Sequence, residues 1–97
     1  MSPRLARPKH LARVEVVWED AQADSEYDGD GHGFDTSLPL LEDIGYFVAL
    51  KRDVLVLAAC REPASGTVRF MLKIPRRLVK EIRLLEVTTT PAGQETA

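Results

Sequence analysis

The sequence predicts a mainly β protein, a small five-stranded barrel with one short helix. Three observations carry that expectation. Apolar and polar residues alternate in runs centred on Val14, Tyr46 and Val68, the period-two pattern of half-buried strands. A long acidic, glycine-rich stretch separates the first run from three closely spaced ones. An Ile74-Pro75 step then precedes a short helical stripe and a last apolar run.

In order, residues 1–12 hold two prolines and basic side chains without apolar periodicity, and read as a flexible arm. The barrel domain is placed at 13–87. Val14, Val16 and Trp18 alternate with more polar neighbours, and Trp18 is expected to anchor one end of the core while its indole N–H finds a partner. Residues 21–37 form the acidic loop between strands 1 and 2, where Gly29, Gly31 and Gly33 disfavour helix and sheet alike. Tyr27 and Phe34 are its only large apolar groups. Leu41, Ile44, Tyr46, Val48 and Leu50 mark the second strand, with Gly45 at a bend or bulge. Lys51-Arg52-Asp53 is a polar turn before the strand Val54–Cys60, which is apolar on both faces. Pro63–Gly66 is a turn into Thr67–Ile74, where Val68, Phe70, Leu72 and Ile74 share one face. Pro75 suits a first helical position, and Leu78, Val79 and Ile82 give an apolar stripe over about two turns of helix. Leu84–Val87 is the closing strand, and 88–97 a polar, flexible tail.

Ninety-seven residues with 44% apolar content suffice for one compact core. The lone cysteine, Cys60, lies in an apolar run and reads as a small buried hydrophobe in a reducing compartment. No secretory signal is legible, and the longest apolar run is far too short to span a bilayer, so a soluble cytoplasmic protein with no membrane partner is expected. A net charge of −2 hides an asymmetry. Ten acids and no Lys or Arg fall between Glu15 and Asp43, whereas Arg69, Lys73, Arg76, Arg77, Lys80 and Arg83 cluster later. Opposed charge of this kind can steer partners or pair copies of one chain.

The run Leu41–Val87, with its Gly45-containing strand, tight turns and Ile74-Pro75-x-x-Leu78-Val79, resembles the second half of an SH3-like barrel. The long loop between the first two strands matches the longest SH3 loop in position. The resemblance implies the five-stranded fold. It does not carry proline-rich peptide recognition, because an aromatic-rich Ala-Leu-Tyr-Asp-Tyr-type stretch is missing and Val14–Asp20 offers only Trp18. The pattern Val-x-Val-x-Trp-x-Asp-Ala over 14–21 is also similar to small accessory proteins of bacteriophages and prophages.

Two clusters carry candidate chemistry. Asp24, Glu26, Asp28, Asp30 and Asp35 place oxygens at positions 1, 3, 5, 7 and 12 of a segment with Gly29 at position 6, close to a calcium-binding EF-hand loop. Glu26, Gly31 and the short Asp35 depart from that pattern, and no helices flank it. A solvated loop is the expectation, with calcium affinity at best about 10⁻⁴–10⁻³ M. His32, between glycines, lacks the supports a transition-metal site needs. The second cluster is a candidate anion patch of Arg69, Lys73, Arg76, Arg77 and Lys80, suited to a nucleotide; scarce aromatics and an acidic balance disfavour general nucleic-acid binding. Neither a nucleophile with a placed base nor a phosphate loop before a helix is present, and no cofactor is indicated. The expectation is a non-catalytic binding or assembly module, self-associating or held by a protein partner. The alternatives are an anionic-nucleotide sequestering protein or a weak calcium-loop protein.

Overall fold

The computed structural model of the chain describes residues 7–21, 29–33, 36–90 and 92. Five antiparallel strands form one sheet: β1 (Arg13–Glu19), β2 (Leu40–Lys51), β3 (Val54–Arg61), β4 (Val68–Pro75) and β5 (Val79–Leu84). Their order is β4-β3-β2-β1-β5. Among the described residues the helical content is a single 3₁₀ turn, Arg76–Leu78.

The twelve-residue β2 has two partners in succession. Its first part pairs with β1 from Leu40↔Glu19 to Tyr46↔Arg13. Its second part pairs with β3 from Tyr46↔Ala58 to Lys51↔Val54. A bulge at Val48 interrupts that second ladder and deepens the bend. The sheet thereby folds over itself, and one core draws on both halves. Val14, Val16 and Val79 come from one side, and Phe47, Leu55, Leu57 and Ile74 from the other. Trp18, Leu50 and Ile82 pack at the margin of this cluster. The Trp18 indole N–H donates to Asp43 Oδ2 at 2.7 Å, the partner its place at the core's end requires.

Gly45 sits where β2 passes from one partner to the other. A Cβ there would lie 2.8 Å from the Ala58 carbonyl oxygen, closer than backbone atoms tolerate. Beyond that point β1 no longer covers β2, and residues 7–12 take its place. Leu11 N–H donates to the Phe47 carbonyl at 2.6 Å and Phe47 N–H to that of Ala12 at 2.8 Å. Arg7 Nη2 donates to the Leu50 carbonyl, and His10 Nδ1 lies 3.0 Å from that of Val48. The segment expected as a free arm therefore contributes, in its part 7–12, an edge cover for β2.

The turns follow local chemistry. Lys51 and Val54 are paired, so Arg52 and Asp53 form a two-residue hairpin loop with φ of 51° and 61°. Positive φ at both central positions is the requirement of a type I′ turn, here met without glycine. At the β3–β4 turn, Gly66 with φ 75° donates its N–H to the Glu62 carbonyl. Asp20 N–H donates to the Pro39 carbonyl and ties together the two ends of the segment between β1 and β2. The described residues of that segment hold neither helix nor strand.

Four expectations need correction. The sheet is open: β4 pairs only with β3 and β5 only with β1. Phe70, at φ 58°, breaks the regular spacing of donors and acceptors that a ladder along the free side of β4 would use. The expected two-turn helix is three residues long, and the last strand begins at Val79 instead of Leu84. The cause is a bulge. Val17 pairs with Glu81 but Trp18 with Val79, leaving Lys80 as the extra residue. Val79 and Ile82 then reach the same core although three apart, a spacing that otherwise signals helix. Cys60 is exposed, since β3 leaves the core after Ala58. Finally, of the face Val68, Phe70, Leu72 and Ile74, only Ile74 is fully buried.

Among the described residues no helix is long and apolar enough to cross a membrane. Residues 1–6, 22–28, 34–35, 91 and 93–97, which include much of the expected arm, loop and tail, lie outside the described set.

Gly45→Ala should cost about 1–3 kcal/mol, because the carbonyl it would strike is held in the β2–β3 ladder. Urea unfolding measures this; a midpoint equal to that of the parent chain would remove Gly45 from its place at the bend.

Candidate functional site

Packing and pairing sort the cations into two kinds. β5 brings Lys80 and Arg83 beside the carboxylates of β1. Lys80 Nζ lies 3.2 Å from Glu19 Oε1. Arg83 donates from Nη1 to Glu15 Oε1 at 2.6 Å and from Nη2 to Glu81 Oε2 at 2.8 Å. The register explains the geometry: Arg83 is the direct β-partner of Glu15, and Glu81 lies two residues along on the same strand. The Arg83 hydrogen bond holds the Glu81 carboxyl below the ordinary glutamate range. Reciprocally, Glu81 first and Glu15 second push the Arg83 guanidinium up. Arg13 is satisfied differently, its guanidinium carbon 5.3 Å from the centroid of the Tyr46 ring.

Arg69, Lys73, Arg76 and Arg77 form no ion pair among the described residues. Arg69 and Lys73 are exposed on β4, opposite Cys60 and Val56 respectively. Arg76 and Arg77 follow in the 3₁₀ turn, where they line a cleft of about 380 Å³ with Asp53 and Pro75. Of the predicted anion patch, the structure therefore gathers Arg76 and Arg77 at one cleft. It sets Arg69 and Lys73 along β4 and engages Lys80 with Glu19. Asp53, with no motif around it, could not be foreseen as a cleft residue. Its place comes from a hairpin whose carbonyl accepts the Arg76 N–H at 2.8 Å.

β4 also carries an uncovered apolar stretch. Phe70 is 78% exposed, and Met71 and Leu72 are exposed beside it. A second exposed apolar pair, Leu40 and Ile44, lies on β2 around the exposed Glu42. Ile44 faces Glu15 across the β1–β2 ladder and Leu40 faces Glu19, both engaged by cations of β5, so Glu42 is the carboxylate this patch presents without an ion pair among the described residues.

In the acidic segment, Asp30 is described and exposed. Its Oδ1 accepts the His32 backbone N–H at 3.0 Å and lies 3.3 Å from His32 Nδ1. The backbone hydrogen bond, with the side-chain contact second, draws the Asp30 carboxyl below the ordinary aspartate range. Asp24, Glu26, Asp28 and Asp35, the other predicted calcium ligands, lie outside the described residues. Among the described residues no group of three or more His, Cys, Asp or Glu side chains is placed to hold a metal ion.

Compared with known proteins, the chain matches no family model, and no curated protein and no solved structure shows significant similarity to it.

Arg83→Ala should return the Glu81 carboxyl to the ordinary glutamate range, read by side-chain carbon NMR across an acid titration. Because Glu81 is depressed in the folded chain, its ion pair contributes stability above the ordinary glutamate range. That contribution is lost as pH falls through the depressed value. An unchanged Glu81 titration in Arg83→Ala would refute the pairing.

Proposed function

We propose that the chain is a small, non-catalytic binding module with an SH3-like strand arrangement in an open sheet, which assembles with further copies of itself. The strand order β4-β3-β2-β1-β5, the long β2 shared by two halves and the 3₁₀ turn before β5 support the fold reading. An accessory role of the phage or prophage type is part of the same proposal and rests on the sequence pattern Val-x-Val-x-Trp-x-Asp-Ala over 14–21 alone.

One observation carries the functional reading: the apolar stretch Phe70–Leu72 on edge strand β4, bounded by Arg69 and Lys73. Phe70 is a bulky aromatic in the left-handed region and mostly in solvent, a costly arrangement for a residue without a partner. A second copy offers the complement. Leu40 and Ile44 present apolar surface around Glu42, a carboxylate with no ion pair among the described residues, against the basic border of β4. The two patches differ, so their contact is heterologous and builds rings or open chains, not an isologous dimer. Opposed charges set the register and hasten encounter, while the apolar centres supply the affinity.

Light scattering across concentration should show association that weakens as salt rises. Phe70→Ser should loosen it by roughly tenfold or more in dissociation constant, with the monomer's fold intact because the side chain is exposed. Reversing charge at Arg69 to Glu should weaken association, and Glu42→Arg in the same chain should restore part of it. A monomer at all concentrations and at low salt would end this reading.

A further inference from the structure

We infer that the cleft between the β2–β3 hairpin and the 3₁₀ turn is a binding site for a phosphate monoester carried on a hydroxyl-rich small molecule. The site is separate from the assembly patches of β4 and β2, and it uses a different set of charges.

The walls of the cleft are fixed by backbone. Pro75 pairs with Val54, the residue after Asp53, and the Arg76 N–H is bonded to the Asp53 carbonyl. The hairpin tip and the 3₁₀ turn are therefore tied together at the base of the cleft. Ile74, fully buried just before Pro75, roots that base in the core. Two consecutive arginines, Arg76 and Arg77, line this space of about 380 Å³. Arg76 is half-buried and Arg77 exposed.

Among the described residues, the lack of a carboxylate partner sets these two arginines apart from Lys80 and Arg83. Lys80 and Arg83, a few residues on, are engaged by Glu19, Glu15 and Glu81. Arg76 and Arg77 take no carboxylate among the described residues, although Asp53 lines the same cleft. Paired guanidinium forks match the tetrahedral oxygens of a phosphate, each with two parallel donors. Asp53 selects among phosphates. Its carboxylate accepts hydrogen bonds only, so it repels a bare anion but receives hydroxyls next to the phosphate. Pro75 gives an apolar wall for the carbon skeleton between those groups. Sugar phosphates and nucleoside monophosphates share this chemistry, and the volume admits the phosphate with its neighbouring ring.

Calorimetric titration of the full chain with inorganic phosphate, glucose 6-phosphate and adenosine monophosphate tests the site. Both organic phosphates should bind more tightly than inorganic phosphate, and the better of the two identifies the source. Arg76→Gln with Arg77→Gln should weaken both by tenfold or more, while Lys80→Gln leaves them within twofold. Asp53→Asn should act in opposite directions, strengthening inorganic phosphate and shrinking the advantage of the organic ligands. Backbone amide NMR of each variant confirms that the fold is kept, and in the parent chain shifts should centre on residues 52–54 and 75–78. No binding of any probe at 10 mM, equal affinity for all three, or affinity unchanged in the double variant would overturn the proposal.

Discussion

The whole architecture depends on one strand having two partners. β2 is hydrogen-bonded to β1 through its first part and to β3 through its second, and the handover occurs at Gly45 and Tyr46. Only a residue without Cβ lets the Ala58 carbonyl come so near at that point. If β2 ran straight, Val14 and Val16 would face solvent instead of Leu55, Leu57 and Ile74. The bend makes one folded sheet behave as two layers, the minimum that buries an apolar face without helices. The cost is an uncovered margin along the second part of β2, which residues 7–12 fill with backbone and side-chain hydrogen bonds.

Much of this was legible from residue patterns, for identifiable reasons. Val14 and Val16 alternate with Glu15 because β1 lies inside the sheet between β2 and β5 and its ladder with β2 is unbroken. The turn positions at 51–53 and 63–66 were legible from their polar residues and the Pro and Gly. The last strand was hidden by a single extra residue. Lys80 bulges out of the β1–β5 ladder, which moves the core contacts from a spacing of two to one of three. Periodicity alone cannot separate that from a helical stripe. Cys60 misled because an apolar run says nothing about where a strand outruns its core. The same limitation applies to Phe70 and Leu72, which alternate with polar or flexible neighbours in sequence but are exposed on an edge strand whose fully buried residue is Ile74.

The candidate sites were legible by composition and not by grouping. Six clustered cations in sequence looked like one patch, yet the folded sheet distributes them over its two outer strands and the turn between. Cross-strand register then decides which are neutralised. Arg83 meets Glu15 because the two are ladder partners, and no local motif encodes that pairing. Asp53 enters the cleft through a hairpin that closes with two left-handed residues, neither of them Gly or Asn, so the usual signal of such a turn was missing. Of the six, register pairs Lys80 and Arg83 and leaves Arg69, Lys73, Arg76 and Arg77 without an ion pair among the described residues.

The exposed thiol of Cys60 has a practical consequence. It is the only cysteine in the chain, it stands in solvent, and it is the ladder partner of Arg69 on the outermost strand. A maleimide dye or nitroxide attached there needs no prior removal of other thiols and no introduced residue. Such a probe would sit beside the apolar stretch of β4, on the strand next to it. The native chain thus carries its own reporter position for anything that approaches that margin of the sheet.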